Sequence, residues 1–161
     1  MKFEFEVISK NHITDAIREA LAEALKRQGK VQGNLQKKAD RCKLICIAKI
    51  DSEVAGIGAI KIKTDSDFSA QKASLPDLCR DFEWELGYLY TEPAHTGKGI
   101  GKNIARALIE AYGAGNLMAS TEIAANPAMV RILENFGFKQ YGKPWKSAIH
   151  ENYLGLFLRF Q

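Results

Sequence analysis

The stretch "HTGKGIGKNIARALIE", residues 95 to 110, constrains this chain more than any other. Gly97, Gly99 and Gly101 stand at alternate positions, with Lys98 between the first two and Lys102 after the third. Behind them Ile100, Ile104, Ala107, Leu108 and Ala111 recur at helical spacing, which predicts a helix over 98–112 with those residues inward. Ahead of them "FEWELGYLYT" reads as a strand, stopped by Pro93. The unit is therefore strand, glycine-rich turn, helix. The first turn of a helix carries unpaired N–H groups and a partial positive charge. Glycines let a bulky phosphate come against that backbone, and Lys98 and Lys102 add charge. A turn into a helix with no ligand would need a single glycine, so three point to an anion.

Two common phosphate loops do not fit. A Walker A loop needs Gly, four residues, then Gly-Lys-Ser/Thr. Counting back from Gly101–Lys102 places Thr96 at the first glycine position, and Asn103 stands where Ser or Thr is required. A dinucleotide fingerprint needs Gly-x-Gly-x-x-Gly after the first strand. Here the spacing is Gly-x-Gly-x-Gly, and several strand-like runs come earlier.

Those runs set the fold class. Phe3, Phe5 and Val7 alternate with Glu4 and Glu6, a half-buried strand. In residues 11–29, Ile13, Ile17, Leu21, Ala24 and Leu25 recur as in a helix that Asn11 or Thr14 can cap and Gly29 can end. "CKLICIAKI" and "EVAGIGAIKIK" are joined by Asp51 and Ser52, a hairpin signal. Residues 30–41 read as loop or short helix, and polar residues 64–80 as a surface excursion. "NLMASTEI" is a short strand, and "NPAMVRILENFGF" a helix with Asn126 as cap, Pro127 at its first position and Gly137 at its end. "KQYGKPW" is a short strand or turn, and "NYLGLFLRF" is apolar enough to be buried on both faces. The order is β α β β β α β α β β. It predicts one α/β (α+β) domain over residues 1–161, with a mixed, mostly antiparallel sheet of six to seven strands flanked by about four helices.

Bulk properties narrow the partners. A net charge of +4, with scattered Lys and Arg, falls short of a nucleic-acid footprint. No apolar run is long enough to span a bilayer, and "MKFEFEVISK" lacks a signal-peptide core. Cys42, Cys46 and Cys79 lack the partners of a zinc set and read as reduced thiols of a cytoplasmic protein. No nucleic acid, membrane or metal is expected.

At this point the chain resembles a known family, the GNAT superfamily of acyl-CoA-dependent N-acyltransferases. The family's hallmark is a strand, a Pro-containing turn, then Arg/Gln-x-x-Gly-x-Gly/Ala opening a helix. In this chain it is "ELGYLYTEPAHTGKGIG", with Thr96 where Arg or Gln is usual and Gly99 and Gly101 at the glycine positions. A second family motif, Asn, a helix, then Gly-Phe, matches "NPAMVRILENFGF". The element order agrees along nearly the whole chain. The resemblance implies that Thr96, Gly97, Lys98, Gly99, Ile100, Gly101 and Lys102 hold the pyrophosphate of coenzyme A. It implies that Leu89, Tyr90 and Thr91 pair with the pantetheine arm, that two strands splay apart after residue 90, and that Asn126 lies across the gap. It implies a backbone N–H near Leu89 as donor to the thioester carbonyl.

The implied reaction is acetyl transfer from acetyl-CoA to a primary amine by direct attack, since no Cys or Ser is evidently placed beside a base. Period-two spacing puts Glu85, Gly87, Leu89 and Thr91 on one strand face, and Glu85 matches a catalytic glutamate of some family members. It is the candidate base. The family's usual acid, a Tyr seven residues after the Asn, is here Leu133. Tyr88, Tyr90, Tyr141 and Cys79 remain as proton donors, or the thiolate leaves unaided. His95 precedes the loop, and Trp145, His150 and Glu151 are candidates for the acceptor pocket. The acceptor is a small-molecule or peptide amine, shaped by residues 29–41, 64–81 and 143–152, and the protein is a monomer or homodimer. The alternative is a coenzyme A-binding module without turnover.

Overall fold

A computed structural model describes residues 2–161 of the chain. Among the described residues, seven strands form one sheet: β1 (Glu4–Ser9), β2 (Cys42–Ile50), β3 (Glu53–Ile62), β4 (Trp84–Thr91), β5 (Leu117–Glu122), β6 (Lys139–Lys146) and β7 (Tyr153–Arg159). Their order is β1-β2-β3-β4-β5-β7-β6. The β1/β2, β2/β3, β5/β7 and β6/β7 pairs are antiparallel, and β4/β5 is parallel. Among the described residues the α-helices are three, α1 (Asp15–Gln28), α2 (Ile100–Tyr112) and α3 (Pro127–Asn135). The remaining helical turns are 3-10, at Lys10–His12, Leu35–Arg41, Asp65–Phe68, Pro76–Asp81 and Pro93–His95. The sheet class and element order agree with the sequence reading, and Leu35–Arg41 is a short helix within the 30–41 stretch read as loop or short helix.

Local chemistry accounts for the boundaries. Thr14 Oγ1 accepts from the Ile17 N–H at 3.3 Å and caps α1, and Gly29, at φ 74°, closes it. Asp51 and Ser52 both take positive φ, 49° and 68°, which a two-residue turn needs to match strand twist. Asn126 Oδ1 accepts from the Met129 N–H at 3.2 Å, and Pro127 opens α3.

The chain gathers into two compact units. The first runs to Ile62 and resumes over Leu86–Gly113; the second comprises Lys63–Glu85 and Ala114–Gln161. In the first, Leu21, Ala24 and Leu25 of α1 pack with Ile45 and Ile47 of β2 and Ile57 and Ala59 of β3. In the second, Phe68, Ala73 and Phe82 pack with Met118, Trp145, Leu156 and Leu158. Residues 64–80 are therefore more than a surface excursion, because Asp67, Phe68 and Ala73 are buried there. On α2 the inward face is Ile100, Ile104, Ala105, Leu108 and Ile109, whereas Ala111 is exposed.

Two glycines on β3 seat α2. A Cβ on Gly58 would lie 2.6 Å from Ile104 Cγ2 and 2.7 Å from Leu89 Cδ1. One on Gly56 would lie 2.9 Å from the Tyr90 carbonyl oxygen. Overpacking of such a contact costs about 1–3 kcal/mol. Gly58→Val is expected to lower the melting temperature by several degrees in thermal circular dichroism. An unchanged melting point would mean that α2 moves off β3 without penalty.

Candidate active site

In the first unit, β4 runs into the glycine loop. Tyr88 adopts φ 56°, a left-handed conformation that is strained for an aromatic residue and kinks the strand. The Lys61 ammonium, itself buried, sits 5.3 Å above the Tyr88 ring. Beyond the kink, Leu89, Tyr90 and Thr91 are half-buried. The Gln28 side-chain amide donates to the Leu89 carbonyl at 3.1 Å, so the end of α1 grips the strand. Arg27 pairs with Glu92 at 2.6 Å, and the Tyr90 hydroxyl donates to the other Glu92 oxygen at 3.5 Å. Burial and the Glu92 charge push the Tyr90 phenol up, which weakens it as a proton donor.

The loop itself has a defined shape. Thr96 Oγ1 donates to the Pro93 carbonyl at 3.1 Å, and Lys98 Nζ lies 3.5 Å from His95 Nδ1. Gly97 and Gly99 adopt φ 79° and 77°. Gly101 already lies inside α2. The Gly99 carbonyl accepts from the Asn103 N–H at 3.1 Å and the Asn103 side-chain amide at 2.9 Å, and Arg106 donates to Asn103 Oδ1 at 2.7 Å. That clamp turns the Gly99 carbonyl toward the helix. Lys98 and Lys102 are exposed, and the first turn of α2 has no acidic side chain. The Ile100 side chain is buried, so this residue has only its main chain to offer an anion.

The other expected residues, Glu85 and Asn126, belong to the second unit. In the β4/β5 ladder Trp84 pairs with Leu117 and Glu85 with Met118. Glu85 is 7% exposed. Its Oε1 accepts from the Thr64 N–H at 2.9 Å and from Thr64 Oγ1 at 2.8 Å. Asp67, equally buried, pairs with Lys72 at 3.3 Å. Burial foremost, and then the Glu85 charge, push the Asp67 carboxyl up. Asn126 has its Oδ1 engaged as the α3 cap. Leu133 is fully buried.

The acceptor candidates separate. Trp145 is a core residue beneath Lys72, and Glu151 is exposed and pairs with Lys146. His150 Nδ1 accepts from the Asn152 N–H at 3.1 Å, which leaves the Nε2 proton facing Glu122 Oε1 at 3.2 Å. Asn152 Nδ2 donates to Glu122 Oε2 at 3.0 Å. The buried Glu122 thus ties the 147–152 turn to β5. Thr64, Asp67 and Glu122 are the residues that sequence reasoning missed. A carboxylate inside the apolar run "NLMASTEI" was a usable signal for Glu122; the polar run "TDSD" gave none for the others. Among the described residues, no group of three or more His, Cys, Asp or Glu could hold a metal ion, and no helix is long and apolar enough to cross a membrane.

Solved structures share this architecture. ElaA from Escherichia coli superposes with a TM-score of 0.71 at 11% identity, covering 98% of this chain and 99% of that one. NAA60 from Arabidopsis thaliana, solved with a bisubstrate analogue, gives 0.67 at 16% identity, covering 99% and 98%. The protein yncA from Salmonella typhimurium, solved with its cofactor acetyl-CoA, gives 0.64 at 18% identity, covering 98% and 93%. At these identities the likeness is one of fold. No curated protein sequence matches. A family model, that of the acetyltransferase (GNAT) family, matches residues 12–138, which include β4, the glycine loop and α3. On that match, this chain belongs to the acetyltransferase (GNAT) family.

Proposed function

We propose that this protein transfers an acetyl group from acetyl-CoA to a primary amine, by direct attack of the amine on the thioester. The observation that carries the reading is the paired left-handed glycines, Gly97 and Gly99, running into α2 within the stretch matched by the family model. A Cβ at Gly97 would meet nothing within 4 Å, and one at Gly99 only Asn103 Nδ2 at 3.7 Å. The loop is thus open on the side an incoming diphosphate would use, and the donors of a helix N-terminus stand behind it. These residues fit coenzyme A.

In this reading Thr96, Gly97, Lys98, Gly99, Gly101 and Lys102, with the Ile100 main chain, bind the diphosphate. Leu89, Tyr90 and Thr91 align the pantetheine arm as an added strand, and Asn126 borders it. A backbone N–H near Leu89 donates to the thioester carbonyl, where negative charge develops. An alkylamine has a reference pKa of about 10.4, so freeing its lone pair at pH 7 costs roughly 4–5 kcal/mol. Glu85 takes that proton. Bound acetyl-CoA supplies the activated acetyl carbon and, once its C–S bond breaks as the N–C bond forms, a thiolate that is protonated from water. The three free cysteines, with Cys42 and Cys46 pushed up to about 12 by burial, suit a reducing cytoplasm.

A second reading is favoured by Leu133, which fills the usual tyrosine position with a fully buried aliphatic side chain. On that reading the chain binds coenzyme A without turnover. A panel of small amines, amino acids and peptides with acetyl-CoA, read out by free thiol, separates the two. At least one primary amine is expected to release thiol above the rate with acetyl-CoA alone. Binding of acetyl-CoA with no release across the panel would leave the second reading standing.

A further inference from the structure

We propose that Thr64 is the positioning residue of the catalytic base: its backbone N–H and its hydroxyl together hold one oxygen of Glu85 and fix the orientation of the carboxylate. This rests on the reading of Glu85 as the base. The geometry is particular. Thr64 stands directly before the 3-10 turn Asp65–Phe68, the position from which a threonine hydroxyl ordinarily caps the turn. It makes no such side-chain cap. Both of its donors converge instead on Glu85 Oε1, at 2.9 and 2.8 Å, while its carbonyl accepts from the Asp67 N–H at 3.1 Å. The neighbouring Lys63 N–H donates to the Glu83 carbonyl at 3.2 Å, which registers this segment against the start of β4. Two donors on one oxygen fix where the carboxylate sits and how it is turned.

Other titratable groups lie on the same segment and on the neighbouring strand β5. Asp67, from the 3-10 turn, acts on Glu85 as a like charge and is itself paired with Lys72. Lys63 and Asp65 pair with each other at 3.5 Å on the same segment, and the Cys79 thiol lies 3.6 Å from Asp65. On β5, Glu122 is engaged by His150 and Asn152. Asp67 is the group that can confuse a titration, so it needs its own variant.

The test uses the whole chain and the variants Thr64→Val, Thr64→Ser, Asp67→Asn and Glu85→Gln. The first readout is the carboxyl titration of Glu85 in ligand-free protein by carbon-13 NMR, with Glu85→Gln giving the assignment. Thr64→Val keeps the N–H donor and removes the hydroxyl. A hydrogen bond to the charged form lowers a carboxyl's titration, so removing one is expected to move the Glu85 titration up by about one pH unit. Thr64→Ser is expected to restore it, and Asp67→Asn to move it down. The second readout is the pH profile of kcat/KM with acetyl-CoA and an accepted amine. The acid limb is expected to move up by the same amount in Thr64→Val, with the alkaline plateau retained. A Thr64→Val titration that coincides with wild type overturns the proposal. So does a loss of rate equal at every pH, which is the mark of a structural role. If Glu85→Gln keeps the wild-type rate and acid limb, the base assignment itself fails, and the NMR result then reports on Thr64 and Glu85 alone.

Discussion

Gly99→Val is expected to weaken coenzyme A binding by two orders of magnitude or more while leaving the fold in place. Gly99 sits at φ 77°, directly before α2. For an L-residue the left-handed conformation costs about 1–2 kcal/mol, and a β-branched side chain is a genuine outlier there. The protein itself offers no steric objection, since a Cβ would meet only Asn103 Nδ2 at 3.7 Å. The valine is therefore accommodated by turning the backbone. That breaks the two Asn103 bonds to the Gly99 carbonyl and re-aims the N–H groups at the start of the helix. Hydrogen bonds to a charged partner are worth about 1.5–3 kcal/mol each. Losing the alignment of two gives about 3–4 kcal/mol, or a factor of several hundred in Kd at 1.4 kcal/mol per tenfold. Isothermal titration calorimetry with coenzyme A reads this directly. Gly99→Asn is the control, because asparagine tolerates the left-handed region; it is expected to keep most of the affinity. If the valine variant binds as tightly as wild type, the diphosphate lies elsewhere.

The glycine loop was legible because its signal is local. Conformational need and residue type coincide at Gly97 and Gly99, as they do at the Thr14 and Gly29 ends of α1 and in the Asp51–Ser52 turn. Each of these is decided within a few residues of chain. Two long-range features had no comparable signal. The crossover that places β7 between β5 and β6 depends on strand partners, which alternation of apolar residues does not identify. Residues 64–80 form 3-10 turns, whose period matches neither a strand nor an α-helix. Phe68 there is buried by packing with Trp145, Leu156 and Leu158, far away in sequence. The surroundings of Glu85 follow the same logic. Its place on a strand could be read, but the Thr64 donors come from the segment that looked like a polar loop. Glycine at 56 and 58 is a further case: the reason lies in Ile104, Leu89 and the Tyr90 carbonyl, all on later elements.

Glu85→Gln gives the sharpest test of the chemistry, because glutamine keeps the shape of the site. Its carbonyl oxygen can still accept both Thr64 donors, so the side chain stays where it is. What disappears is the ability to take a proton. General-base assistance contributes typically 10²–10⁴-fold, and kcat is expected to fall by about that much. Coenzyme A affinity is expected to stay within about twofold, since the residues assigned to the diphosphate belong to a different segment of chain. Stability is expected to hold or rise slightly near pH 7. Asp67 is buried with its carboxyl pushed up in part by the Glu85 charge, and removing that charge relieves it. A loss of activity with the melting temperature preserved therefore reports chemistry rather than unfolding. The pH profile adds a signature of its own. Without a base, the variant depends on solvent to supply neutral amine, whose fraction rises about tenfold per pH unit below an amine pKa of about 10.4. The variant's rate should climb steadily through the alkaline range, while wild type levels off once Glu85 is ionised. The gap between them should narrow as pH approaches the amine's own pKa. A variant that runs parallel to wild type over the whole range would show that the proton leaves by a route that avoids Glu85.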